Sequence, residues 1–324
     1  MKSYSLRVEG TQAVLQLGDA PTPEPGPGQL LLKMLAAGLN RGEFIPGGLI
    51  KGGSSKPAGI EGAGEIVALG AGVAGLRVGQ RVMGRCPGAF SEFAVMDARE
   101  AMTVPDGLPV DTAAAVPLTF LVVHDMLVLQ GRLKAQEWLL VAGVSSGVGV
   151  ASLQAAKALG ARVIGTSGSP DKLARLQALG LDVAIPTRAP DFAARVMEVT
   201  GGRGVDLVVN TVGGSVFAEC IRTLAFEGRL ATVGYVDHTL KAEIDIQALH
   251  VKRLTLFGVS NKMRSAEQRA AGVPAFMADL LPALADGRIR PLVDRVFPFD
   301  ELVAAKAHME SNQHLGKIVL KISD

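Results

Sequence analysis

The sequence predicts an α/β protein that combines a doubly wound parallel sheet with a mostly antiparallel, barrel-like lobe. Between residues 113 and 259, apolar runs such as LLVAG and VDLVVNTV alternate with helical patterns, which is typical of parallel strands joined by crossover helices. Before residue 113, short alternating segments such as LLLKMLAAG and GAGEIVALG are separated by Pro/Gly clusters, which is typical of antiparallel strands. The change in pattern near residue 112 therefore indicates a domain boundary.

We expect two domains, since 324 residues are enough for two at roughly 100 to 200 residues each. Residues 113–259 would form the parallel-sheet domain. Residues 1–112 would form the barrel-like domain together with residues 260–324, because the final strand, in GKIVLKI, has no further crossover and is expected to return to the first lobe.

The composition, 48% hydrophobic and 20% charged residues with a net charge of +2, fits a soluble globular protein. No Lys/Arg block is present, so we expect small-molecule partners and neither nucleic acid nor a membrane surface. The start MKSYSLRVEG has no signal-peptide pattern, and we expect a cytoplasmic protein. The longest apolar run is broken by Pro117, His124 and Asp125, which favours a buried helix over a membrane span.

A glycine-rich turn, VAGVSSGVG at residues 141–149, joins a strand to a helix within one βαβ unit. Small residues let the backbone approach a pyrophosphate, whose charge is met by free N–H groups and by the positive end of the helix dipole. The spacing departs from G-x-G-x-x-G, and such a turn can also serve only to pack a helix on a strand. Because the βαβ context is intact, we favour dinucleotide binding, with pyrophosphate contacts at Ser145, Ser146, Gly147, Val148 and Gly149.

The second strand of this unit indicates which dinucleotide binds. An NAD site places Asp or Glu at the end of that strand, whereas the 2′-phosphate of NADPH needs donors and cations there. Here the strand ends GTSGSPDKL, and its acid, Asp171, is expected to cap the next helix. We therefore favour NADPH; the alternative is that Lys172 and Arg175 only form a solvated helix face. We expect Thr166, Ser167 and Ser169 to offer hydroxyls to the 2′-phosphate, and Lys172 and Arg188 to offer positive charges. Gly168 is a further predicted cofactor contact.

Several segments taken together are similar to one family: AAGLNRGEF, GIEGAGEIVALGAGVAGLRVGQRV, VAGVSSGVG, GTSGSPDKL and AHMESNQHLGKIVL. In this order, over nearly the whole chain, they resemble the medium-chain dehydrogenase/reductases, and within them the zinc-independent quinone oxidoreductase (zeta-crystallin-like) branch. The resemblance implies a Rossmann-type NADPH-binding domain, a GroES-like catalytic domain and a homodimer. In that homodimer the strand LTLFGVS at the sheet edge is a candidate for pairing across a two-fold axis.

The chain lacks the zinc ligands of the metal-dependent relatives, so we expect no metal. A catalytic zinc needs three protein ligands, usually Cys and His in this superfamily. Where those enzymes carry Gly-His-Glu, this chain reads Gly59-Ile60-Glu61, and the two cysteines, Cys86 and Cys220, are expected to be buried apolar residues. Without a metal, the natural reaction is hydride transfer from nicotinamide to an acceptor that is already electrophilic, a quinone or another α,β-unsaturated carbonyl.

The resemblance also implies further site residues. Asn40 of NRGE would lie close to the nicotinamide as a positioning and hydrogen-bonding residue, with Glu43 as its partner; the alternative for Asn40 is a turn residue that caps a short helix. Tyr235, at a strand end, would border the nicotinamide pocket or serve only in packing. The other implied cofactor contacts are Asn210, Val233, Gly234, Phe257 and Gly258, and the implied substrate contacts are Phe44, Lys51 and Tyr235.

Two other functions stay open. Enoyl-thioester reductases of the superfamily carry a tyrosine proton donor eleven residues past the asparagine, where this chain has Lys51, and this difference counts against that activity. A non-catalytic NADPH-binding sensor is the other possibility, and only a turnover assay separates it from an enzyme.

Overall fold

The computed structural model describes residues 1–9, 12–44 and 55–323. The chain forms two compact units. Unit 1 comprises Met1–Leu121, Arg264–Ala285 and Pro291–Asp324, and unit 2 comprises Val122–Met263 and Asp286–Arg290. The domain boundaries expected from the sequence, at residues 112/113 and 259/260, stay a prediction.

The strands of both units are, in chain order, β1 Lys2–Glu9, β2 Gln12–Asp19, β3 Gln29–Gly38, β4 Lys56–Pro57, β5 Glu61–Leu69, β6 Arg81–Arg85, β7 Phe93–Asp97, β8 Met102–Thr103, β9 Trp138–Ala142, β10 Arg162–Ser167, β11 Val183–Pro186, β12 Val205–Asn210, β13 Leu224–Thr232, β14 Thr255–Gly258, β15 Val293–Pro298 and β16 Lys317–Lys321.

The α-helices are α1 Val110–Ala114, α2 Pro117–His124, α3 Gly147–Ala158, α4 Pro170–Gln177, α5 Ala193–Val199, α6 Phe217–Thr223, α7 Ile246–Val251, α8 Ala266–Ala270, α9 Val273–Asp279, α10 Leu281–Ala285 and α11 Leu302–Glu310. Short 3-10 helices cover Arg41–Glu43, Ala98–Glu100, Gly214–Val216 and Phe299–Glu301.

Unit 1 is built on two sheets. The larger sheet has the order β15-β16-β3-β5-β6-β8, with β7 also paired to β3, and the smaller has the order β2-β1-β4. Among these described strands every pair is antiparallel except β15 with β16. The C-terminal strand β16 pairs with β3, with Val319 opposite Gly38, so the end of the chain returns to the first lobe as expected. Side chains such as Leu32, Ile66 and Phe90 form the buried core of unit 1.

Unit 2 is a six-stranded sheet with the order β11-β10-β9-β12-β13-β14, and all its pairs are parallel. The buried strands read as continuous apolar runs because helices cover both faces of such a sheet; in β9, Leu139 to Ala142 are all fully buried. Strands β10 and β11 lie on one side of β9, and strands β12 to β14 lie on the other side. The direction of the chain across the sheet therefore reverses between β9 and β12, and α/β sheets of this order bind dinucleotides at that point. The predicted α/β fold class is confirmed.

The apolar run 113–131 contains the end of α1 and all of α2, and it continues as a π-helix over Asp125–Gln130. The sequence pattern predicts one buried helix, whereas the structure divides the run among these three helical segments. Met126 and Leu127 of the π-helix are fully buried. Within the described ranges, no helix is both long enough and apolar enough to cross a bilayer.

Candidate functional site

The carboxyl ends of the parallel strands in unit 2 lie in one row. Strand register places Thr166 and Asn210 on either side of Ala142, Thr232 beside Asn210, and Gly258 beside Thr232. Because parallel strands end at the same edge of a sheet, the segments that follow them share that edge. The structure therefore brings most of the predicted cofactor residues together, namely Ser145, Ser146, Gly147, Val148, Gly149, Thr166, Ser167, Gly168, Asn210, Val233, Gly234, Tyr235, Phe257 and Gly258.

The glycine-rich turn is held by its own hydrogen bonds. Ser146 caps α3: its hydroxyl accepts from the Gly149 N–H at 3.0 Å and donates to the Gly143 carbonyl at 2.9 Å. Gly149 packs the helix on the turn, since a Cβ there would lie 2.7 Å from the Cα of Val144. Gly143 has a φ of +82°, which suits glycine. These residues set the shape of the turn.

The start of α3 offers N–H groups to an anion. Gly147 and Val148 are its first two residues and are partly exposed. Their N–H groups make no hydrogen bond within the part of the chain that the structure describes. Orphan N–H groups at the positive end of a helix of 12 residues match the charge and geometry of a pyrophosphate. The backbone N–H groups of this turn therefore suit the pyrophosphate of a dinucleotide.

The end of β10 carries hydroxyl groups and cations. The Ser167 and Ser145 hydroxyls are 2.9 Å apart and share a hydrogen bond. Arg188 lies across Gly168, since a Cβ on that glycine would collide with the Arg188 side chain. Lys172 is partly exposed in the first turn of α4. Ser167 and Arg188 thus adjoin Gly168, and Lys172 lies in the first turn of the helix that follows.

Two side chains in this region serve the protein backbone. Thr166 is buried, and its hydroxyl accepts from the Gly143 N–H at 3.2 Å. Ser169, and not Asp171, caps α4: the Ser169 backbone is extended, and its hydroxyl accepts from the Lys172 N–H at 3.3 Å. The expectation that Asp171 caps this helix is wrong. Asp171 lies in the first helical turn, where its negative charge interacts favourably with the helix dipole.

Asn210 closes a turn at the end of β12. Its side-chain oxygen accepts from the N–H groups of Val212 and Gly213 at 2.9 and 3.0 Å, and its Nδ2 donates to the Gly213 carbonyl at 2.9 Å. The side chain is fully buried. Its predicted contact with the cofactor stays a prediction, as do those of the exposed Tyr235 and the half-buried Phe257.

Unit 1 carries a buried polar cluster that follows β3. Asn40 precedes the 3-10 helix Arg41–Glu43, and Glu43 Oε1 accepts from both the backbone N–H and the Nδ2 of Asn40, each at 3.0 Å. Asn40 therefore precedes a short helix, which agrees with its alternative interpretation as a capping residue of a turn. Asn40 Nδ2 also donates to Glu61 Oε1 at 2.8 Å. One amide thus joins two carboxyl groups.

Lys317 completes this cluster, and it was not among the residues predicted from the sequence. Its Nζ donates to Asn40 Oδ1 at 2.8 Å, to Glu61 Oε1 at 2.7 Å and to the Leu39 carbonyl at 2.9 Å. Glu61 Oε2 accepts from the N–H of Leu118 in α2 at 2.6 Å. The signal in the sequence was a lysine within the apolar strand GKIVLKI, since a lysine is almost never buried without a partner.

The orientation of the Asn40 amide follows from these contacts. Its Nδ2 faces two carboxyl groups and its Oδ1 faces an ammonium group. The flipped amide would place N–H groups against the Lys317 ammonium and an oxygen against carboxylates, so electrostatics selects one orientation. Both amide hydrogens are used, and one lone pair on Oδ1 is left. Asn40 can therefore accept a hydrogen bond from a ligand but has no hydrogen to donate.

Glu43 is 2% exposed. Its pKa is raised to about 8: burial and, after it, the neighbouring Glu61 carboxylate outweigh the lowering effects of the Asn40 hydrogen bonds and the Lys317 charge. Its Oε2 is buried and makes no hydrogen bond with any residue that the structure describes. Below about pH 8 the neutral acid form of Glu43 is therefore favoured, which limits the net charge buried in the cluster.

The substrate contacts predicted for Phe44, Lys51 and Tyr235 stay predictions. Phe44 is 5% exposed and stacks on Phe90 in the core of unit 1, with ring centroids 6.5 Å apart. Lys51 lies outside the described residues. Both cysteines are fully buried, and burial raises the pKa of the Cys86 thiol to about 12 and that of Cys220 well above its usual range. No group of three or more His, Cys, Asp or Glu in the described ranges is placed to hold a metal ion.

A parallel sheet of this order, with a glycine-rich turn where the order reverses, defines a dinucleotide-binding protein of the α/β class. Comparisons with known proteins identify its family. A family model described as alcohol dehydrogenase GroES-like domain matches residues 26–106, and one described as zinc-binding dehydrogenase matches residues 147–274. The mycobacterial protein Rv1454c, solved in complex with NADPH, is 30% identical, with a TM-score of 0.88 over 99% of this chain and 100% of that one.

Other relatives are named for different reactions. A quinone oxidoreductase from Pseudomonas syringae and the enoyl reductase CurK are each 26% identical, each with a TM-score of 0.84, over 99% and 98% of both chains respectively. A phenolphthiocerol/phthiocerol polyketide synthase protein of Mycobacterium tuberculosis is 30% identical over 97% of this chain, which spans 14% of that protein's length. This chain belongs to the medium-chain dehydrogenase/reductase superfamily, whose members are oxidoreductases that bind NAD or NADP, and the resemblance seen in the sequence is confirmed.

Proposed function

We propose that the protein is a zinc-independent, NADPH-dependent reductase that transfers hydride to a quinone or another α,β-unsaturated carbonyl. The observation that carries this proposal is the end of β10, where Arg188 lies against Gly168, next to the Ser167 hydroxyl, and no carboxyl residue is present. Lys172 lies in the first turn of the following helix. A carboxylate there would bind the ribose hydroxyl of NAD and repel a 2′-phosphate. The complex of the mycobacterial relative with NADPH supports the same choice.

The bound nicotinamide would supply the hydride, and the protein would bind and orient the reactants. The N–H groups of Gly147 and Val148 would hold the pyrophosphate, and Lys172 with Arg188 would hold the 2′-phosphate. In this proposal Asn40 positions a ligand group by accepting a hydrogen bond, because its amide hydrogens are already used by Glu43 and Glu61. An acceptor such as a quinone needs no Lewis acid to become electrophilic, which agrees with Ile60 standing where zinc relatives carry histidine.

A substrate panel tests this proposal. Simple quinones, enones and enoyl thioesters are each assayed with NADPH and with NADH, with and without a metal chelator. We expect NADPH consumption with a quinone or enone, weaker activity with NADH, and no loss on chelation. Activity that disappears with the chelator, or that needs an alcohol and NAD, would overturn the proposal.

The second candidate is an enoyl-thioester reductase. It is favoured by the likeness to CurK enoyl reductase and to parts of polyketide synthases. Lys51, where such reductases carry a tyrosine, counts against it. Preferred turnover of enoyl thioesters in the panel would select this function. If no substrate is turned over, a non-catalytic NADPH-binding sensor is the remaining function.

We also propose a homodimer, located in the cytoplasm. Strand β14 is an edge of the parallel sheet, and an open edge presents unpaired backbone groups to a second copy. Large apolar side chains on β13 and α7 are exposed as well: Phe226 by 63%, Ile246 by 65% and Val251 by 62%. Sedimentation analysis should show a dimer at micromolar concentration; a monomer there would refute the assembly.

A further inference from the structure

The residue that follows Asn40 binds a distant part of unit 1. Arg41 begins the 3-10 helix Arg41–Glu43 and is half-buried. Its Nη2 donates to the carbonyl of Met309 and to Oδ1 of Asn312, each at 2.7 Å. These partners lie 268 and 271 residues further along the chain, so no local pattern in the sequence indicates the contact. Arg41 therefore ties the turn that carries Asn40 to the end of α11.

The two acceptors are held in place at the C-terminus of α11. Met309 lies in the last turn of this helix and is buried, and its carbonyl also accepts from the Asn312 N–H at 3.3 Å. Asn312 has a φ of +58°, which asparagine tolerates, and its Nδ2 donates to the Glu310 carbonyl at 3.2 Å. Its Oδ1 is thereby left for the guanidinium. A cation is favoured here, because the C-terminus is the negative end of the helix dipole.

The turn that carries Asn40 is too short to hold its own position. The 3-10 helix has three residues. Its backbone hydrogen bonds run from the Glu43 N–H to the Asn40 carbonyl at 3.0 Å and from the Phe44 N–H to the Arg41 carbonyl at 3.1 Å. A single helical turn is weakly stable by itself, since few hydrogen bonds offset the loss of conformational entropy. Tertiary contacts therefore set the position of Asn40.

The last part of the chain supplies these tertiary contacts on both sides of Asn40. Lys317 Nζ donates to Asn40 Oδ1 at 2.8 Å, and the Leu39 N–H donates to the Ile318 carbonyl at 3.0 Å. Both contacts belong to the pairing of β16 with β3. The contact of Arg41 with the end of α11 holds the backbone after Asn40, and it depends on one side chain. It can therefore be removed by substitution without breaking a sheet.

We propose that Arg41 is a positioning residue for the reduction: by binding the end of α11, it holds Asn40 Oδ1 where that oxygen accepts a hydrogen bond from the ligand. This inference rests on the proposed function, in which Asn40 is the residue that meets the ligand. Arg41 acts through Asn40, because its Nη2 is engaged by two protein oxygens. A guanidinium suits this task, since one Nη2 carries two hydrogens in a fixed plane and serves two acceptors together.

Steady-state kinetics on a double-mutant cycle test the proposal. Wild type, Arg41→Met, Asn40→Ala and the double variant are assayed with NADPH and the best quinone or enone of the substrate panel. We expect Arg41→Met to lower kcat by roughly tenfold, because a small displacement of a positioning group has a large effect on rate. The KM for NADPH should change little, because the residues proposed to hold its phosphates lie in unit 2.

The cycle distinguishes a positioning role from a purely structural one. In the Asn40→Ala background, Arg41→Met should cause no further loss of kcat, since the two residues act through one group. An equal loss of kcat in both backgrounds would overturn the proposal. Arg41→Lys keeps the positive charge at the end of α11 and should recover part of the kcat that Arg41→Met loses.

Arg99→Met is the matched control. Arg99 also lies in a three-residue 3-10 helix of unit 1, and its guanidinium is bonded to Asp97, which caps that helix. The kcat of Arg99→Met should equal that of wild type. The same loss in Arg99→Met as in Arg41→Met would assign the effect to a general loss of stability and refute the positioning role.

Hydrogen exchange separates this inference from the proposed function, because it needs no turnover and no Asn40 variant. Deuterium uptake is followed by mass spectrometry in peptides that cover residues 39–44. We expect exchange there to be roughly fivefold faster in Arg41→Met, as for the loss of about one net hydrogen bond, and unchanged in Arg99→Met. Unchanged exchange in Arg41→Met would refute the positioning role, even in a protein that turns over substrate. Absence of turnover with every substrate would refute the proposed function, whereas faster exchange would then leave the anchoring by Arg41 standing.

Discussion

Replacing Glu43 with glutamine should remove a pH dependence from the stability of the protein. Burial raises the pKa of Glu43 from 4.5 to about 8 in the folded chain, while the unfolded chain leaves it in water. The folded state therefore binds this proton more tightly than the unfolded state. The stabilisation that the proton provides is complete below about pH 4.5 and is lost as the pH rises to about 8.

The size of the effect follows from that shift. One pKa unit corresponds to about 1.4 kcal/mol, so the change from 4.5 to about 8 is on the order of 5 kcal/mol in the free energy of unfolding. Glutamine keeps an oxygen that can accept from the Asn40 N–H groups but cannot ionise. The substitution also destabilises the protein by burying an amide group without a partner at the position of Oε2, but this loss of stability does not depend on pH.

Urea unfolding followed by circular dichroism at several pH values from 5 to 9 measures this effect. The quantity compared is the free energy of unfolding of wild type minus that of Glu43→Gln, so that titrations common to both proteins cancel. We expect this difference to fall by several kcal/mol between pH 5 and pH 8 and then to level off. Glu65→Gln, on β5, controls for the loss of one carboxyl group elsewhere in unit 1. Parallel profiles for wild type and Glu43→Gln would refute the reasoning.

Three further predictions concern the two units. Lys172→Ala should raise the Michaelis constant for NADPH far more than that for NADH, because a 2′-phosphate contact is lost; steady-state kinetics with both cofactors would show an equal effect if the assignment is wrong. Gly149→Ala should lower the thermal midpoint through a loss of about 1–3 kcal/mol, since the new Cβ would lie 2.7 Å from the Cα of Val144; an unchanged midpoint contradicts this packing role. Lys317→Met should cost about 3–5 kcal/mol in unfolding free energy, because it leaves the buried Glu61 carboxyl group without its charged partner. In chemical denaturation the double variant Lys317→Met/Glu61→Gln should recover part of that loss; a double variant no more stable than Lys317→Met would contradict the ion pair.

The parts of the fold that depend on local pattern could be predicted from the sequence. The strands β9 to β14 follow apolar runs, and the start of α3 follows a serine and glycine turn, because a βαβ unit uses residues close together in the chain. The absence of an acid at the end of β10 is likewise a local fact. Capping of α4 was mispredicted, since Ser169 and Asp171 both carry the right chemistry and only the extended backbone at Ser169 decides between them.

The polar clusters of unit 1 depended on tertiary structure. Lys317 reaches Asn40 from 277 residues away in the chain, and it does so because β16 pairs with β3. The sequence by itself determined the family, the glycine-rich turn and the cationic end of β10, since short-range spacing carries that information. Only the tertiary structure decided that Asn40 can still accept a hydrogen bond but has none to donate, and that the pKa of Glu43 is raised. Burial and long-range hydrogen bonds determine both properties.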